Sequence, residues 1–243
     1  MLRLEARKRR SASVRVFVDF DGTISVGDTT DRILERFADP SWLAVEADWV
    51  AGRIGSRECL ARQIDLVRAS PAALDAFAAE SAIDRHFAGF VALCAAHRVP
   101  VTIVSDGLDR IATAMLARAD LHLPIMANHL EWRGGDRWRL AFPHAREDCR
   151  STAGHCKCAT LAVDPDGLRV LVGDGRSDFC AAATADLVIA KGALADYCGK
   201  HAIPFEPFTD FAGAIMVLAR WLAALGRPAL PHSEEAARAP TSA

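Results

Sequence analysis

The chain has 243 residues, of which 51% are hydrophobic and 25% charged, with 29 Lys and Arg set against 31 Asp and Glu for a formal charge of -2. Those proportions belong to a folded globular protein and speak against wholesale disorder or a membrane-embedded chain, and the near-zero charge leaves no basic face for nucleic acid. Seven scattered cysteines, an odd number, make no disulfide framework and agree with a reducing, cytoplasmic setting.

Arg7-Lys8-Arg9-Arg10 opens the chain as a solvated basic tail, and the apolar run after it, residues 14–18, is too short for a secretion signal. That run is the first of four β-branched stretches, with 99–104, 169–172 and 187–190, that read as buried strands. Helical patterns at 108–119, 158–163 and 178–183 alternate with them, which predicts an α/β, Rossmann-like core with a parallel sheet between helices.

After the first strand, residues 28–97 hold helical runs at 30–37, 42–50, 57–67, 71–79 and 85–96 and no convincing strand. They predict a helical cap inserted into a core made of 14–27 and 98–226. A second interruption, 123–142, turns at Gly134-Gly135 and predicts a small β-hairpin of 128–133 with 137–142. A last helix is expected at 208–225, and residues 1–13 and 227–243 are expected to be disordered tails.

The first strand runs into Asp19-Phe20-Asp21-Gly22-Thr23, two carboxylates at the end of a parallel strand where ligands bind. The second runs into Ser105-Asp106-Gly107, a hydroxyl and main-chain N–H groups suited to a phosphate. Lys157 follows inside a short helix, a cation able to neutralise phosphate charge. Gly173-Asp174-Gly175-Arg176-Ser177-Asp178 then brings two more carboxylates, oxygen ligands for a hard divalent ion. Each motif alone could be an acidic turn, a helix cap or a solvated charge.

In this order, over about residues 14–190, the four motifs resemble the haloacid dehalogenase superfamily. The resemblance implies Asp19 as nucleophile, Asp21 as general acid and base, Ser105, Asp106 and Lys157 as phosphate-binding residues, and Mg²⁺ held by Asp19, Asp21, Asp174 and Asp178. Asp21, which the dehalogenase branch lacks, points to hydrolysis of a small phosphorylated metabolite through an aspartyl phosphate. The cap's position is that of phosphoserine phosphatases. Asp28, Pro40-Ser41-Trp42, Asn128-His129, Pro143-His144 and the cysteines before Lys157 are shared with phosphatases of methionine salvage. A phosphotransferase or mutase, and a non-catalytic binding module, remain as alternatives.

Asp28, Arg53, Arg57, His129 and His144 are the candidates for substrate selection, and Arg62 shares the segment of Arg53 and Arg57. His144, Cys149, His155, Cys156 and Cys158 invite a zinc site, but Cys-x-Cys is tighter than the usual knuckle, so the group reads as reduced thiols.

Overall fold

The computed structural model describes residues 12–164 and 166–227. The basic cluster at 7–10 and most of both expected tails lie outside the described residues. Residues 12, 13 and 227 are in place: Arg227 donates to the Ala12 carbonyl and Ser13 Oγ to Asp164.

Seven strands form one sheet: β1 (Val14–Val18), β2 (Val101–Leu108), β3 (Ile125–Trp132), β4 (Trp138–Ala141), β5 (Leu168–Gly173), β6 (Leu187–Ala190) and β7 (Glu206–Pro207). Their order is β4-β3-β2-β1-β5-β6-β7, and all neighbours are parallel except β3 and β4. The chain leaves β1 for β2 on one side and returns to β5 on the other. The carboxyl end of β1 therefore opens on a topological switch point.

Successive side chains alternate across the sheet. Val16, Val18, Ile103, Val170 and Val172 enter the larger apolar core, while Phe17, Val104, Leu171 and Val188 enter a smaller one on the opposite face. Both faces must be covered, and the helices do it. They are α1 (Thr29–Phe37), α2 (Trp42–Val50), α3 (Ser56–Ile64), α4 (Pro71–Glu80), α5 (Phe87–Ala96), α6 (Asp109–Arg118), α7 (Lys157–Leu161), α8 (Phe179–Ala182), α9 (Gly192–Lys200) and α10 (Phe211–Ala224). The Asp28 carboxylate caps α1 by accepting from Asp31 N, and Ser70 caps α4 ahead of Pro71.

The stretch between β1 and β2 is not uniform. Phe87 and Phe90 of α5 meet Phe211 of α10 edge-on, with ring centroids 4.8 and 5.1 Å apart, and each buried ring contributes about 1.5–3 kcal/mol. Ile33, Leu34 and Phe77 of α1 and α4 join the same core as Val16 and Val18. By contrast α2 buries only Val45, and its Leu43 and Val50 are 58% and 61% exposed.

Three features depart from the sequence reading. The hairpin is part of the main sheet, because β3 begins at Ile125 and pairs in parallel with Ile103 and Val104 before it turns into β4. The second strand does not end before Ser105 but runs on to Leu108 through an irregularity in its pairing with β3, so Ser105-Asp106-Gly107 lies within the strand. Such a bulge re-aims side chains beside a site. Helix α9 and strand β7 carry no sequence signal: α9 buries only Leu194 and Cys198, too sparse a stripe to read. No helix among the described residues is long and apolar enough to cross a membrane.

Candidate active site

The carboxyl ends of β1, β2 and β5 form the floor of a cavity of about 950 Å³, and α1, α2 and α3 form its opposite wall. Asp19 leaves β1 with its N–H on the Val172 carbonyl and one carboxylate oxygen accepting from Phe20 N at 2.8 Å. The turn after it closes on Phe20, whose carbonyl accepts from Ile24 and Ser25 N–H. Gly22 sits at φ +70°, and a Cβ there would lie 2.5 Å from Asp174 Oδ2, so any other residue would be strained there and would push Asp174 aside.

Lys157, the first residue of α7, is fully buried and reaches Asp19 Oδ1 and Asp178 Oδ1 at 2.7 Å each and Ser177 Oγ at 2.9 Å. Burial alone would discharge it, but the Asp178 and Asp19 carboxylates outweigh that and hold its pKa above the usual lysine value. One oxygen each from Asp19, Asp174 and Asp178 lies within 4.8 Å of the others. Burial, and then the charge of Asp178, raise Asp19 well above the carboxylate range despite Lys157. Burial likewise raises Asp174, against a hydrogen bond of 2.5 Å from Thr23 Oγ1. Three carboxylates facing one ammonium leave excess negative charge, and hard oxygen donors in that state fit Mg²⁺.

Asp21 stands apart from that trio. Its Oδ1 accepts from Thr29 N at 2.9 Å and Thr29 Oγ1 at 2.5 Å, while Oδ2 lies beside Gly107 and 3.4 Å from Thr30 Oγ1. Burial, then the Asp28 charge, push its pKa up to about 7 although both Thr29 bonds oppose this. An acid poised there can give and take a proton near neutrality. Of the four residues expected to hold metal, Asp21 has its carboxylate turned to Thr29 instead.

Ser105 is buried in the floor, its Oγ accepting from Gly107 N at 2.9 Å. The Asp106 carboxylate is committed elsewhere, accepting from His155 N, Asn128 Nδ2 and Ser56 Oγ at 2.8, 3.2 and 2.9 Å. Its side chain therefore ties α3 to the floor, and the carboxylate is not the group that would meet a phosphate, which its negative charge would repel. His155 supports the same loop through Ser105 O at 3.2 Å and Thr160 Oγ1 at 2.7 Å, and burial lowers its pKa to about 4, so it is neutral.

Among the proposed selecting residues only Asp28 lines the cavity, open to its solvent. Burial in the surrounding protein, then the neighbouring Asp31 charge, raise its pKa to about 6. Arg53 turns away to Asp48 at 2.6 Å, and Arg57 is absent from the lining. His129 and His144 line a separate hollow on the far side of β3, where His129 meets Asp109 at 2.6 Å. The i,i+4 spacing of the arginines does not place them on one helix: α2 ends at Val50 and α3 begins at Ser56, so Arg53 lies in the turn between them and Arg57 in α3. Among the described residues the three aspartates are the only group placed to hold a metal, and His155 is occupied, so the zinc reading finds no site.

Sequence reasoning gave no role to Thr29, Ser56 or Arg150; it weighed Trp49 as a pocket or packing residue and carried Arg176 only as part of the Gly173–Asp178 motif, and Trp49 does line the cavity. Thr29 follows the helix cap and could have been suspected as a local donor. Trp49 and Arg176 meet only through the fold: the guanidinium lies 4.7 Å from the Trp49 ring and joins the Asp174–Asp178 loop to α2.

Residues 16–183 match the family described as haloacid dehalogenase-like hydrolase. A 2-hydroxy-3-keto-5-methylthiopentenyl-1-phosphate phosphatase of Geobacillus kaustophilus is 31% identical over 210 residues, 84% of this chain and 95% of that protein. The phosphatase of the same name from Geobacillus thermodenitrificans is 32% identical over 213 residues, again 84% and 95%. Among solved structures, a phospho-aspartyl intermediate analogue of phosphoserine phosphatase superposes with a TM-score of 0.63 at 16% identity, covering 86% of this chain and 99% of that one. A probable phosphoserine phosphatase from Vibrio cholerae gives 0.63 at 18% identity, covering 89% and 68%. At these identities the structures speak for the fold.

Proposed function

From the premise that this chain belongs to the haloacid dehalogenase-like hydrolases and is a phosphatase, we propose that it hydrolyses a small phosphomonoester with Mg²⁺ through an aspartyl phosphate on Asp19. The observation that carries this reading is the contrast between two carboxylates two residues apart. Asp19 is gripped by Lys157 beside a metal-ready trio, and Asp21 is held by Thr29 with a pKa of about 7. One is placed to attack and the other to carry a proton.

Asp19, Asp174 and Asp178 would hold the ion, which when bound neutralises the phosphate and lets an anionic nucleophile approach it. Ser105 Oγ and Lys157 Nζ orient the phosphoryl oxygens. An oxygen of Asp19 attacks phosphorus, and Asp21 gives the proton on Oδ2 to the departing alkoxide. The same oxygen then takes a proton from the water that cleaves the acyl phosphate.

For the leaving group we favour the neutral methionine-salvage compound named for the relatives over phosphoserine. The lobe wall presents Asp28, Asp31 and Glu46 beside Trp49, Ile54 and Leu60 and no Lys, Arg or His; the cationic side chains in the cavity lining, Arg150 and Arg176, come from the core side, and Arg176 lies over the Trp49 ring. Seven unpaired thiols suit a cytoplasmic enzyme. The test is a panel of phosphorylated metabolites with Mg²⁺, scored by free phosphate. The salvage compound should exceed phosphoserine in kcat/KM, the reverse order would move the assignment, and consumption of the phosphomonoester only with an added acceptor, without free phosphate, would mean a phosphotransferase.

A further inference from the structure

The cysteines around Lys157 have no part in phosphoryl transfer, yet they lie against it. Cys156 is the residue from which α7 starts, Lys157 is the first residue of that helix, and Cys158 is the second. Cys156 Sγ lies 3.3 Å from Cys158 Sγ, and Cys158 lines the catalytic cavity. On its other side Cys156 packs with Cys149 and Ala153 in a small apolar cluster.

Cys149 is set in a loop shaped to hold a thiolate. Thr152 takes φ +46°, a rare conformation for a β-branched residue, and Ser151 Oγ lies 3.3 Å from Cys149 Sγ. Burial opposes ionisation there, but hydrogen bonds from Ser151, from the Ala153 and Ser151 main chain and from Cys156 hold Cys149 below the usual thiol range. Cys158 is the opposite case, pushed up to about 12 by burial and its sulfur neighbours. The trio thus has a nucleophilic end, a central thiol and an end open to the cavity.

We propose that Cys156 is the central thiol of an oxidative modification site, in which it forms a disulfide within the Cys149–Cys156–Cys158 trio, displaces Lys157 and reversibly stops turnover. The oxidant is hydrogen peroxide. The Cys149 thiolate attacks the peroxide, the O–O bond breaks, hydroxide leaves and the sulfur becomes a sulfenic acid. Cys156 then attacks that sulfur, an S–S bond forms and the oxygen departs as water, so two thiols and one peroxide yield one disulfide and two waters. Exchange with Cys158 carries the disulfide to the cavity, where a small thiol can reduce it. Sγ atoms must close to about 2.0 Å in a disulfide, so Cys156 must move, and Lys157 is bonded directly to it. Because Lys157 bridges Asp19 and Asp178 at 2.7 Å, a shift of about 1 Å at its backbone can cost about a hundredfold in rate.

The consequence for catalysis rests on the phosphatase reading above, while the disulfide does not. The full chain, reduced and desalted, is treated with hydrogen peroxide, assayed on p-nitrophenyl phosphate, then alkylated and mapped by mass spectrometry. The wild type should lose turnover in proportion to an intramolecular disulfide at Cys156, with either Cys149 or Cys158 as partner, and recover with dithiothreitol. In Cys156→Ser, a good helix-capping residue, reversible inactivation should be slower by about an order of magnitude, since the resolving thiol is gone. The proposal fails if Cys156→Ser is inactivated and rescued like the wild type, if a disulfide forms without Cys156, or if the Cys156 disulfide forms without loss of turnover. Should Cys156→Ser not fold, proportionality between disulfide and lost activity in the wild type decides alone. An enzyme inactive before oxidation would count against the phosphatase reading, with the mapping still deciding the site.

Discussion

The two walls of the cavity hold their polar groups in different ways. On the sheet side Asp19, Ser105, Lys157 and Asp178 are buried, and each is fixed by at least one partner from the sheet or its loops. On the lobe side α2 buries a single residue, and Asp28 and Asp31 face the cavity. Contacts that join the walls include Thr29 on Asp21, Ser56 on Asp106, Arg57 N–H on Thr152 O and Arg176 over Trp49. Chemistry needs fixed distances, and a packed sheet supplies them. Selection needs a wall that can vary, and under the proposed function the thinly buried α2 would supply that.

The largest test of this division is Asp19→Asn, which should keep the fold and lower kcat by about 10⁴-fold or more on every substrate, measured by steady-state kinetics. Retention of a substantial fraction of activity would break the sheet side of the comparison. Lys157→Met comes next. It leaves two buried carboxylates facing each other without their cation, so activity should be lost and stability should fall by about 3–5 kcal/mol in denaturant titrations.

Metal removal probes the same wall through pH. EDTA should stop turnover and Mg²⁺ restore it. In the metal-free protein Asp21, Asp19 and Asp174 have raised pKa values, so the folded state favours their protonated forms. Their contribution is full below the ordinary carboxylate pKa and is lost as pH rises through the folded values, about 7 for Asp21. The metal-free Tm should therefore be lower at pH 8 than at pH 5, and Mg²⁺ should raise it more at pH 8. An equal rise at both would show that these groups do not titrate with folding.

Thr29→Val tests the join between the walls, since α1 donates to the general acid. Removing the hydroxyl leaves only the main-chain donor on Asp21 Oδ1. The ionisation of Asp21 in the pH profile of kcat should move upward by about one unit. An unmoved profile would give Thr29 a packing role alone. The smallest effect is expected on the lobe: Asp28→Ala should lower kcat/KM for the natural substrate by about five- to 150-fold and change p-nitrophenyl phosphate far less. Arg57→Ala, outside the cavity lining, should leave that ratio unchanged.

Much of the sheet wall was legible because its signals are local. A β-branched run followed by Asp19-Phe20-Asp21-Gly22-Thr23 states both a buried strand and the carboxylates at its end, and Lys157 opens its helix where the sequence placed it. The failures share a cause. The strand seemed to end before Ser105 and Asp106, and only pairing with β3 carries it past them; no local pattern assigns the Asp106 carboxylate to Ser56, Asn128 and His155. Arg53 and Arg57 were read as neighbours at i,i+4 spacing, but α2 ends at Val50 and α3 begins at Ser56, so Arg53 stands in the turn between them and only Arg57 is helical.

By itself the sequence determined the α/β architecture, the order of the four motifs and the chemical kind of each catalytic group, because these depend on residue types at short separations. Tertiary structure decided which carboxylates converge with Lys157, that Asp21 answers to Thr29, and that the lobe turns acids rather than arginines to the cavity. Those outcomes depend on contacts between residues far apart in the chain, whose geometry and shared burial set the charge states, and no local pattern encodes them.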